Sequence, residues 1–464
     1  MKIIFVHGWS VTNTDTYGEL PKAIVARAGQ HNLDIQITHL DIARYISFHD
    51  EVTVDDIAKA MDSALRDMPG NQNGIQEFSC ITHSTGGPVV REWVDRFYGS
   101  RKLANLPLKH LVMLAPANHG SSLAVLGKEK LSRIKSWFGG VEPGQKVLDW
   151  LSLGSFEQLE LNEKYLRYNY SDNGFFPFVL TGQAIDKKFY DFINDYLVEP
   201  GSDGVVRVAG ANMNYRYLTL SQTDQQLKKS PKTYALKPPS NAVIRKPKIT
   251  PIGIFNSYSH SGKKMGIMRS ITTRDSGSEP IVDEVLRCLA VKTASHFTNR
   301  TKELADFSKL EQAGANRYAM IVINVHDDEG NKIERDNYDV FLLAGKTYSP
   351  SSLPKGFFQD RQINSKSSNL VYYVNADKMG SIKDGKFGIR IVARPDKGFS
   401  YYSIGEFRSE GFAIEKILAP NETTYVDITM RRQIDKNVFT LVKASKKSAS
   451  FKRTPPSGNT VNGS

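Results

Sequence analysis

Short apolar runs alternate with amphipathic stretches through the first half of the chain. Residues 2–6 and 108–115 are apolar runs of strand length, and residues 33–40 alternate between apolar and polar positions as a half-buried strand does. Apolar positions in residues 54–68 instead recur at helical spacing. This alternation of strand and helix predicts an α/β fold, a mostly parallel sheet covered by helices, with ligands at the carboxyl ends of the strands.

The pattern changes between residues 127 and 175, where amphipathic helical stretches replace the alternation. We interpret this segment as a lid-like helical insertion over the predicted site. Its aromatic residues Trp137, Phe138 and Trp150 are consistent with two roles, packing between helices and contact with lipid.

A different pattern begins near residue 300, where short strands follow one another with turn signals between them. The predicted strands are residues 318–325, 339–344, 370–374, 386–393 and 423–430. We expect a first domain of residues 1–300, closed by a helix at residues 281–291, and an antiparallel, β-sandwich-like domain of residues 305–453. Residues 454–464 are small and polar, so we expect a disordered tail there.

Composition changes this picture little. The 464 residues suffice for two or three domains, and 40% hydrophobic with 24% charged residues is ordinary for a soluble globular protein. No apolar run approaches the roughly 18 residues of a membrane-spanning helix, and residues 2–6 are too short for a signal peptide.

The two cysteines, Cys80 and Cys288, argue against a disulfide framework and favour a reducing compartment. No His/Cys spacing indicates a metal site, and we expect no cofactor.

The net charge of +12 and the pI near 9.3 favour an anionic partner. Residues 225–264 contain no Asp or Glu and are rich in Lys and Pro, which predicts an extended basic loop, and residues 431–453 are basic again. Neither stretch has the interleaved aromatic residues of a groove for single-stranded nucleic acid. An anionic membrane surface is therefore the expected partner, rather than nucleic acid, although solvated charged faces also produce such runs.

A serine lies where an apolar strand gives way to a helix. Residues 75–81 form the strand, and Thr-His-Ser-Thr-Gly-Gly follows, with the serine at Ser84. A nucleophilic serine needs such a tight turn, and a small residue two places on lets the helix pack closely, as Gly86 and Gly87 allow. Thr82 replaces the first glycine of the usual Gly-x-Ser-x-Gly pattern, so an ordinary helix start is the alternative interpretation.

A serine hydroxyl is a poor nucleophile at neutral pH, so hydrolysis needs a histidine that takes its proton and a carboxylate that fixes the tautomer of that histidine. In this fold they follow in the order Ser, Asp, His. Asp203 lies in a glycine-flanked turn after the strand that follows the insertion, and His260 lies in a polar turn before the closing helix. The weaker candidates are Asp172, Asp186, His296 and His326.

The oxyanion of an acyl-transfer intermediate needs two N–H donors, one after the nucleophile and one after the first strand. These two positions predict the backbone N–H groups of Thr85 and Trp9 as the oxyanion hole. His83 is expected to pack at the sheet edge, and we assign it no chemical role.

Four short stretches together resemble the bacterial PlaB-type phospholipases A: residues 82–86 (Thr-His-Ser-Thr-Gly), 5–10 (Phe-Val-His-Gly-Trp-Ser), 202–204 (Ser-Asp-Gly) and 259–260 (Ser-His). In that family Thr-His-Ser-Thr-Gly stands in place of the usual elbow. The resemblance implies an α/β-hydrolase domain with the triad Ser84, Asp203 and His260, followed by a β-rich C-terminal domain. It also implies peripheral association with bacterial membranes, with the outer membrane as one location, and self-assembly into dimers or tetramers.

The expected function is cleavage of acyl esters in glycerophospholipids and lysophospholipids through an acyl-enzyme intermediate. A lipase or deacylase that acts on another lipid ester is the alternative within the same chemistry. A membrane-binding scaffold without turnover is the alternative from a different class, and a complete triad argues against it.

Overall fold

The computed structural model describes residues 1–6, 17–40, 42, 49–126, 144–186, 199–239, 244–274, 277–395, 400–410 and 414–434. Its helices are α1 (Leu20–Ala28), α2 (Val54–Asp67), α3 (Gly86–Phe97), α4 (Gln145–Leu151), α5 (Phe156–Tyr165), α6 (Val208–Ala211), α7 (Pro280–Leu289), α8 (Ala294–Glu311) and α9 (Ile414–Ile417). Its strands are β1 (Lys2–Val6), β2 (Gln36–Leu40), β3 (Phe78–His83), β4 (Leu108–Leu114), β5 (Phe176–Gly182), β6 (Tyr215–Lys228), β7 (Thr233–Lys237), β8 (Ile252–Phe255), β9 (Tyr318–Asp327), β10 (Tyr338–Ala344), β11 (Phe358–Ile363), β12 (Leu370–Asn375), β13 (Phe387–Ala393), β14 (Ser400–Tyr402), β15 (Ile404–Arg408), β16 (Thr423–Met430) and β17 (Arg432–Ile434). The predictions for Trp9, for residues 127–143 of the insertion and for residues 435–464 lie outside the described residues.

The first sheet is parallel, as the sequence predicts, with the strand order β2-β1-β3-β4-β5-β8. Side chains alternate between its two faces. In β1, Ile3 and Phe5 join a core with α1, α7 and α8, whereas Ile4 and Val6 join a core with α2 and α3. Helices therefore cover both faces, and the carboxyl ends of the strands remain as the edge where a site can form.

The second sheet has nine strands among the described residues, in the order β10-β13-β15-β7-β6-β16-β9-β12-β11. The β-rich C-terminal region is confirmed, but the sheet is mixed rather than antiparallel, because β16 runs parallel to both β6 and β9. The sheet also curves back on itself, since Tyr372 of β12 donates a hydrogen bond of 2.9 Å to the carbonyl of Val340 in β10, at the opposite edge. Its interior is one apolar core built from strands along its whole width.

The chain is divided between the two sheets differently from the predicted domain boundary at residue 300. Strands β6 and β7 belong to the second sheet, although they lie within the predicted first domain of residues 1–300. In the chain they come between β5 and β8, which are neighbours in the first sheet. The first unit also continues past residue 300, because Ser308 of α8 accepts a hydrogen bond of 2.9 Å from the amide of Ile254 in β8.

The basic segment of residues 225–264 is not a continuous loop, since it contains the end of β6 and all of β7 and β8. Thr233, Ala235 and Leu236 are buried, whereas the lysines of the β6–β7 hairpin are exposed. The many lysines and prolines hide this short strand pattern in the sequence.

A tyrosine-rich core joins the second sheet to the helices of the insertion. It includes Tyr215, Tyr318, Tyr373 and Tyr425 of the second sheet with Leu153 and Leu159 around α4 and α5. Side chains after β11 add hydrogen bonds, as Asn364 and Asn369 donate to the carbonyls of Leu153 and Gly154 at 3.0 and 2.8 Å. The described part of the insertion is therefore packed against the second sheet, and its Trp150 is buried in the core.

Candidate active site

Ser84 occupies a sharp turn between β3 and α3. Its φ of +52° lies in the left-handed region, which a side-chain-bearing residue adopts at a cost. A Cβ at Gly86 would lie 3.2 Å from the Cβ of Thr82, and a Cβ at Gly87 would lie 2.9 Å from the Cβ of Pro116. The glycines thus let α3 approach the sheet closely, as a nucleophile elbow requires, although Thr82 replaces its first glycine.

The three predicted triad residues form a chain of hydrogen-bonding distances. The Oγ of Ser84 lies 3.0 Å from Nε2 of His260, and Nδ1 of His260 lies 2.8 Å from Oδ2 of Asp203. The other carboxylate oxygen accepts the amides of Val205 and Val206 at 3.0 and 2.7 Å. Because the carboxylate can only accept, Nδ1 of His260 is the donor, so Nε2 is the ring nitrogen that can accept the serine proton.

Three separate loops supply these residues. Ser84 follows β3, Asp203 follows β5 and His260 follows β8, so each lies beyond the carboxyl end of a strand in the first sheet. His260 and Asp203 are 57 residues apart in the chain, and His260 and Ser84 are 176 apart. The parallel sheet brings them together, since parallel strands end at a common edge. A serine activated in this way can attack an acyl carbon.

His83 contributes to the site although the sequence indicates no role for it. Its Nε2 donates to the carbonyl oxygen of His260 at 3.0 Å, and the two rings pack with centroids 4.6 Å apart. Burial lowers the pKa of His83 well below its usual value, and the neighbouring His260 lowers it further. His83 is therefore a neutral donor that holds the loop of His260. Only the fold could reveal this contact, because 177 residues separate the partners.

The weaker candidates lie elsewhere. Asp172 is exposed and pairs with Lys248 at 3.6 Å, His296 lies in the first turn of α8, and His326 pairs with Asp427 in the second sheet. Asp186 lies beside Gly262, but the carboxylate that accepts the hydrogen bond from Nδ1 of His260 is that of Asp203.

Of the two predicted oxyanion donors, Thr85 lies directly before α3, so its amide sits at the amino end of that helix beside Ser84. Trp9 lies outside the described residues. Within the part of the chain that the structure describes, no group of three or more His, Cys, Asp or Glu residues could hold a metal ion.

Comparison with solved structures identifies the family. Phospholipase PlaB from Legionella pneumophila, solved in complex with thio-NAD, superposes with a TM-score of 0.86 and 42% sequence identity, covering 97% of this chain and 98% of that one. The chain belongs to the PlaB phospholipase family. A second PlaB structure from the same organism gives a TM-score of 0.86 and 43% identity, with 97% of each chain covered.

PlaB membership confirms the family resemblance carried by Thr82–Gly86 and the α/β-hydrolase fold. A metagenomic carboxyl esterase, MGS0156, is far more distant, with 18% identity and a TM-score of 0.32 over 46% of this chain and 60% of that one. No protein-family model matches the chain, and no curated protein does.

Proposed function

We propose that this protein is a serine hydrolase that cleaves acyl ester bonds of glycerophospholipids and lysophospholipids. The observation that carries the proposal is the continuous hydrogen-bonded series from Ser84 through His260 to Asp203. A serine activated by this series attacks an acyl carbon. Membership of a phospholipase family supports a phospholipid as the source of that acyl group.

In the proposed reaction, Nε2 of His260 takes the proton of Ser84 as its oxygen attacks the ester carbonyl. The oxyanion of the tetrahedral intermediate is stabilised by the amide of Thr85, with that of Trp9 as the second proposed donor. His260 then passes its proton to the departing glycerol oxygen, which leaves an acyl group on Ser84. Water activated by His260 releases the fatty acid, and Asp203 keeps the imidazole in the required tautomer throughout.

The test is incubation of the purified protein with defined phospholipids, lysophospholipids and triacylglycerols, with identification of the released products. Ser84→Ala, Asp203→Asn and His260→Asn are each expected to lower kcat by about 10⁴-fold, and combined changes should add little because the three act as one unit. Asp172→Asn is the matched control, since it removes an exposed carboxylate outside the triad.

The products separate the alternatives. Release of fatty acid from triacylglycerols alone would move the substrate to neutral lipids. A folded wild-type protein that cleaves none of these esters would leave the scaffold as the better interpretation.

We also propose that the protein binds anionic membranes peripherally. The support is the net charge of +12 and the exposed lysines of the β6–β7 hairpin, each worth about 1 kcal/mol near an anionic surface. Within the described residues, no helix is long and apolar enough to cross a bilayer.

Co-sedimentation with vesicles tests this proposal. Binding should favour anionic over neutral vesicles and weaken at high salt. The informative variant reverses three hairpin charges: Lys228→Glu, Lys229→Glu and Lys232→Glu. The matched control reverses three exposed lysines of another surface: Lys292→Glu, Lys302→Glu and Lys309→Glu. Equal binding at all salt concentrations, or equal loss in both variants, would contradict a role for the hairpin.

Self-association is a third proposal, and the second sheet supports it. Its edge strands β10 and β11 carry the exposed aromatic residues Phe341 and Phe358, and unpaired edges are ready pairing surfaces. Sedimentation velocity tests it on the edge variants Phe341→Lys and Phe358→Lys, which should weaken the oligomer, and on two truncations. Removal of residues 454–464 should change little, whereas removal of everything after Met430 should reduce both the oligomer and activity on membranes. An unchanged oligomer in both edge variants and after the longer deletion would contradict the proposal.

A further inference from the structure

The loop that carries Asp203 is attached at its start to the second sheet. Tyr373 of β12 donates its hydroxyl to the carbonyl oxygens of Pro200 and Gly201, at 2.9 and 3.2 Å. The contact is tight, because a Cβ on Gly201 would lie 2.5 Å from the ring of Tyr318 and 2.7 Å from the hydroxyl of Tyr373. The backbone two residues before Asp203 therefore rests directly on two stacked tyrosines of the second sheet.

The end of the same loop is attached to the second sheet by a buried ion cluster. Arg207 is 1% exposed, and its Nη2 lies 2.5 Å from Oδ2 of Asp360 in β11. Its Nε and Nη2 also donate to the two carboxylate oxygens of Glu199 at 2.8 and 2.7 Å, and its guanidinium lies 4.3 Å from the ring centre of Tyr373. A buried guanidinium is costly without its partners, so these contacts fix the backbone at Arg207.

Between these two attachments the loop is closed on itself. Ser202 and Arg207 form a β-bridge, the amide of Asp203 donates to Val206 at 3.2 Å, and the amide of Val208 donates to Gly201 at 2.9 Å. The turn therefore moves as one body, and a shift at either end carries the carboxylate with it. The first unit contributes its own contact, since Ser121 donates to the carbonyl of Val205 at 2.7 Å.

We propose that Tyr373 and Asp360 are positioning residues that hold Asp203 in register with His260, so the second sheet completes the catalytic geometry. The inference rests on the proposed hydrolase function. Neither residue touches the substrate: each acts through the Asp203 loop. The amides of Val205 and Val206 orient the carboxylate within its loop, whereas Tyr373 and Asp360 orient the loop relative to the first sheet.

The chain offers a matched pair of variants. Tyr373→Phe removes the hydroxyl that holds the Asp203 loop and keeps the ring. Tyr372→Phe removes a hydroxyl from the next residue of the same strand, which is also buried and donates to the carbonyl of Val340 at 2.9 Å within the second sheet. Both changes delete one buried hydroxyl donor, so both should lower the melting temperature to a similar extent.

Only Tyr373→Phe should change the chemistry. We expect kcat to fall by about three- to tenfold with KM unchanged, as loss of one oriented hydroxyl donor allows. Tyr372→Phe should keep the wild-type kcat. Asp360→Asn, at a side chain that is 27% exposed, should reproduce the effect of Tyr373→Phe. Equal kcat values for Tyr373→Phe, Asp360→Asn and Tyr372→Phe would overturn the inference.

The rate at which a fluorophosphonate labels Ser84 gives a readout that does not depend on lipid. A displaced Asp203 orients the imidazole of His260 less well, so the labelling rate should fall by about three- to tenfold in Tyr373→Phe and Asp360→Asn only. Identical labelling rates in all variants would overturn the inference. Wild-type protein that is labelled but cleaves no phospholipid would refute the proposed substrate and leave the positioning role supported by the difference in labelling rate. Wild-type protein that is not labelled would refute the hydrolase and this inference together.

Discussion

The ring of His83 donates a hydrogen bond of 3.0 Å to the backbone carbonyl of His260. The residue directly before the proposed nucleophile thus holds the loop of the proposed general base. Burial keeps His83 uncharged by lowering its pKa well below the usual value, so the donor is the neutral Nε2–H. The elbow therefore does more than present Ser84, since it also ties the third loop of the site to the first sheet.

Replacement of His83 should slow catalysis without affecting substrate binding. We expect His83→Phe, which keeps a ring but loses the donor, to lower kcat by about three- to tenfold with KM unchanged. His83→Gln retains an N–H donor and should recover part of that loss. Steady-state kinetics on a soluble ester measure both variants, and a wild-type kcat in His83→Phe would show that the contact is dispensable.

The stability of the protein should fall as the pH is lowered, and His119 should contribute to this. Its Nε2 donates to the carbonyl of Asn212 at 2.7 Å, and its Nδ1 accepts the hydroxyl of Tyr425 at 2.7 Å. Burial lowers the pKa of His119 to about 3. The unfolded chain takes up the proton below a pH of about 6.5 and the folded chain does not, so stability is lost between about pH 6.5 and pH 3, by about 1.4 kcal/mol per pH unit.

Urea unfolding at several pH values between about 7 and 4.5 measures this dependence. His119→Gln should be less stable than wild type at neutral pH, because it loses the contacts of the imidazole to Asn212 and Tyr425. The stability of this variant should fall less steeply as the pH is lowered. Parallel curves for the two proteins would assign the acid sensitivity to other groups.

Gly182 should not tolerate a side chain. It ends β5, and a Cβ there would lie 1.9 Å from the carbonyl oxygen of Tyr258, two residues before His260. Gly182→Ala should therefore push the His260 loop away, costing about 1–3 kcal/mol of stability and lowering kcat. Gly29→Ala is the control, since a Cβ at Gly29 meets no atom within 4 Å and its φ of −59° suits alanine. Thermal denaturation and kinetics of both variants provide the comparison, and an intact Gly182→Ala enzyme would contradict the expected clash.

Neither cysteine should react with a thiol reagent in the folded protein. Cys80 and Cys288 are fully buried, and burial raises the pKa of both thiols above the usual value. Because the thiolate is the reactive form, titration with Ellman's reagent should detect thiols only after unfolding. Rapid reaction under native conditions would show that one of these cores opens readily.

Local patterns in the sequence determined much of this protein. The predicted strand at residues 423–430 coincides with β16, and the predicted strand at residues 339–344 differs from β10 by one residue, because alternation of apolar residues is a property of the segment itself. The strand-to-helix turn at Ser84 is equally local, and the structure brings Asp203 and His260 to it in the predicted order. Asp203 and His260 each lie in a stretch of glycine and polar residues, so the turn that holds each of them is visible in its own segment.

Only the tertiary structure decided which segments meet. The periodicity of β16 shows which of its faces is buried, but not that it inserts between β6 and β9, which are far apart in the chain. For the same reason the sequence does not reveal that Tyr373 supports the Asp203 loop or that His83 reaches the carbonyl of His260. Such contacts join residues more than a hundred positions apart, and their partners are selected by the packing of the whole core rather than by any pattern within one segment.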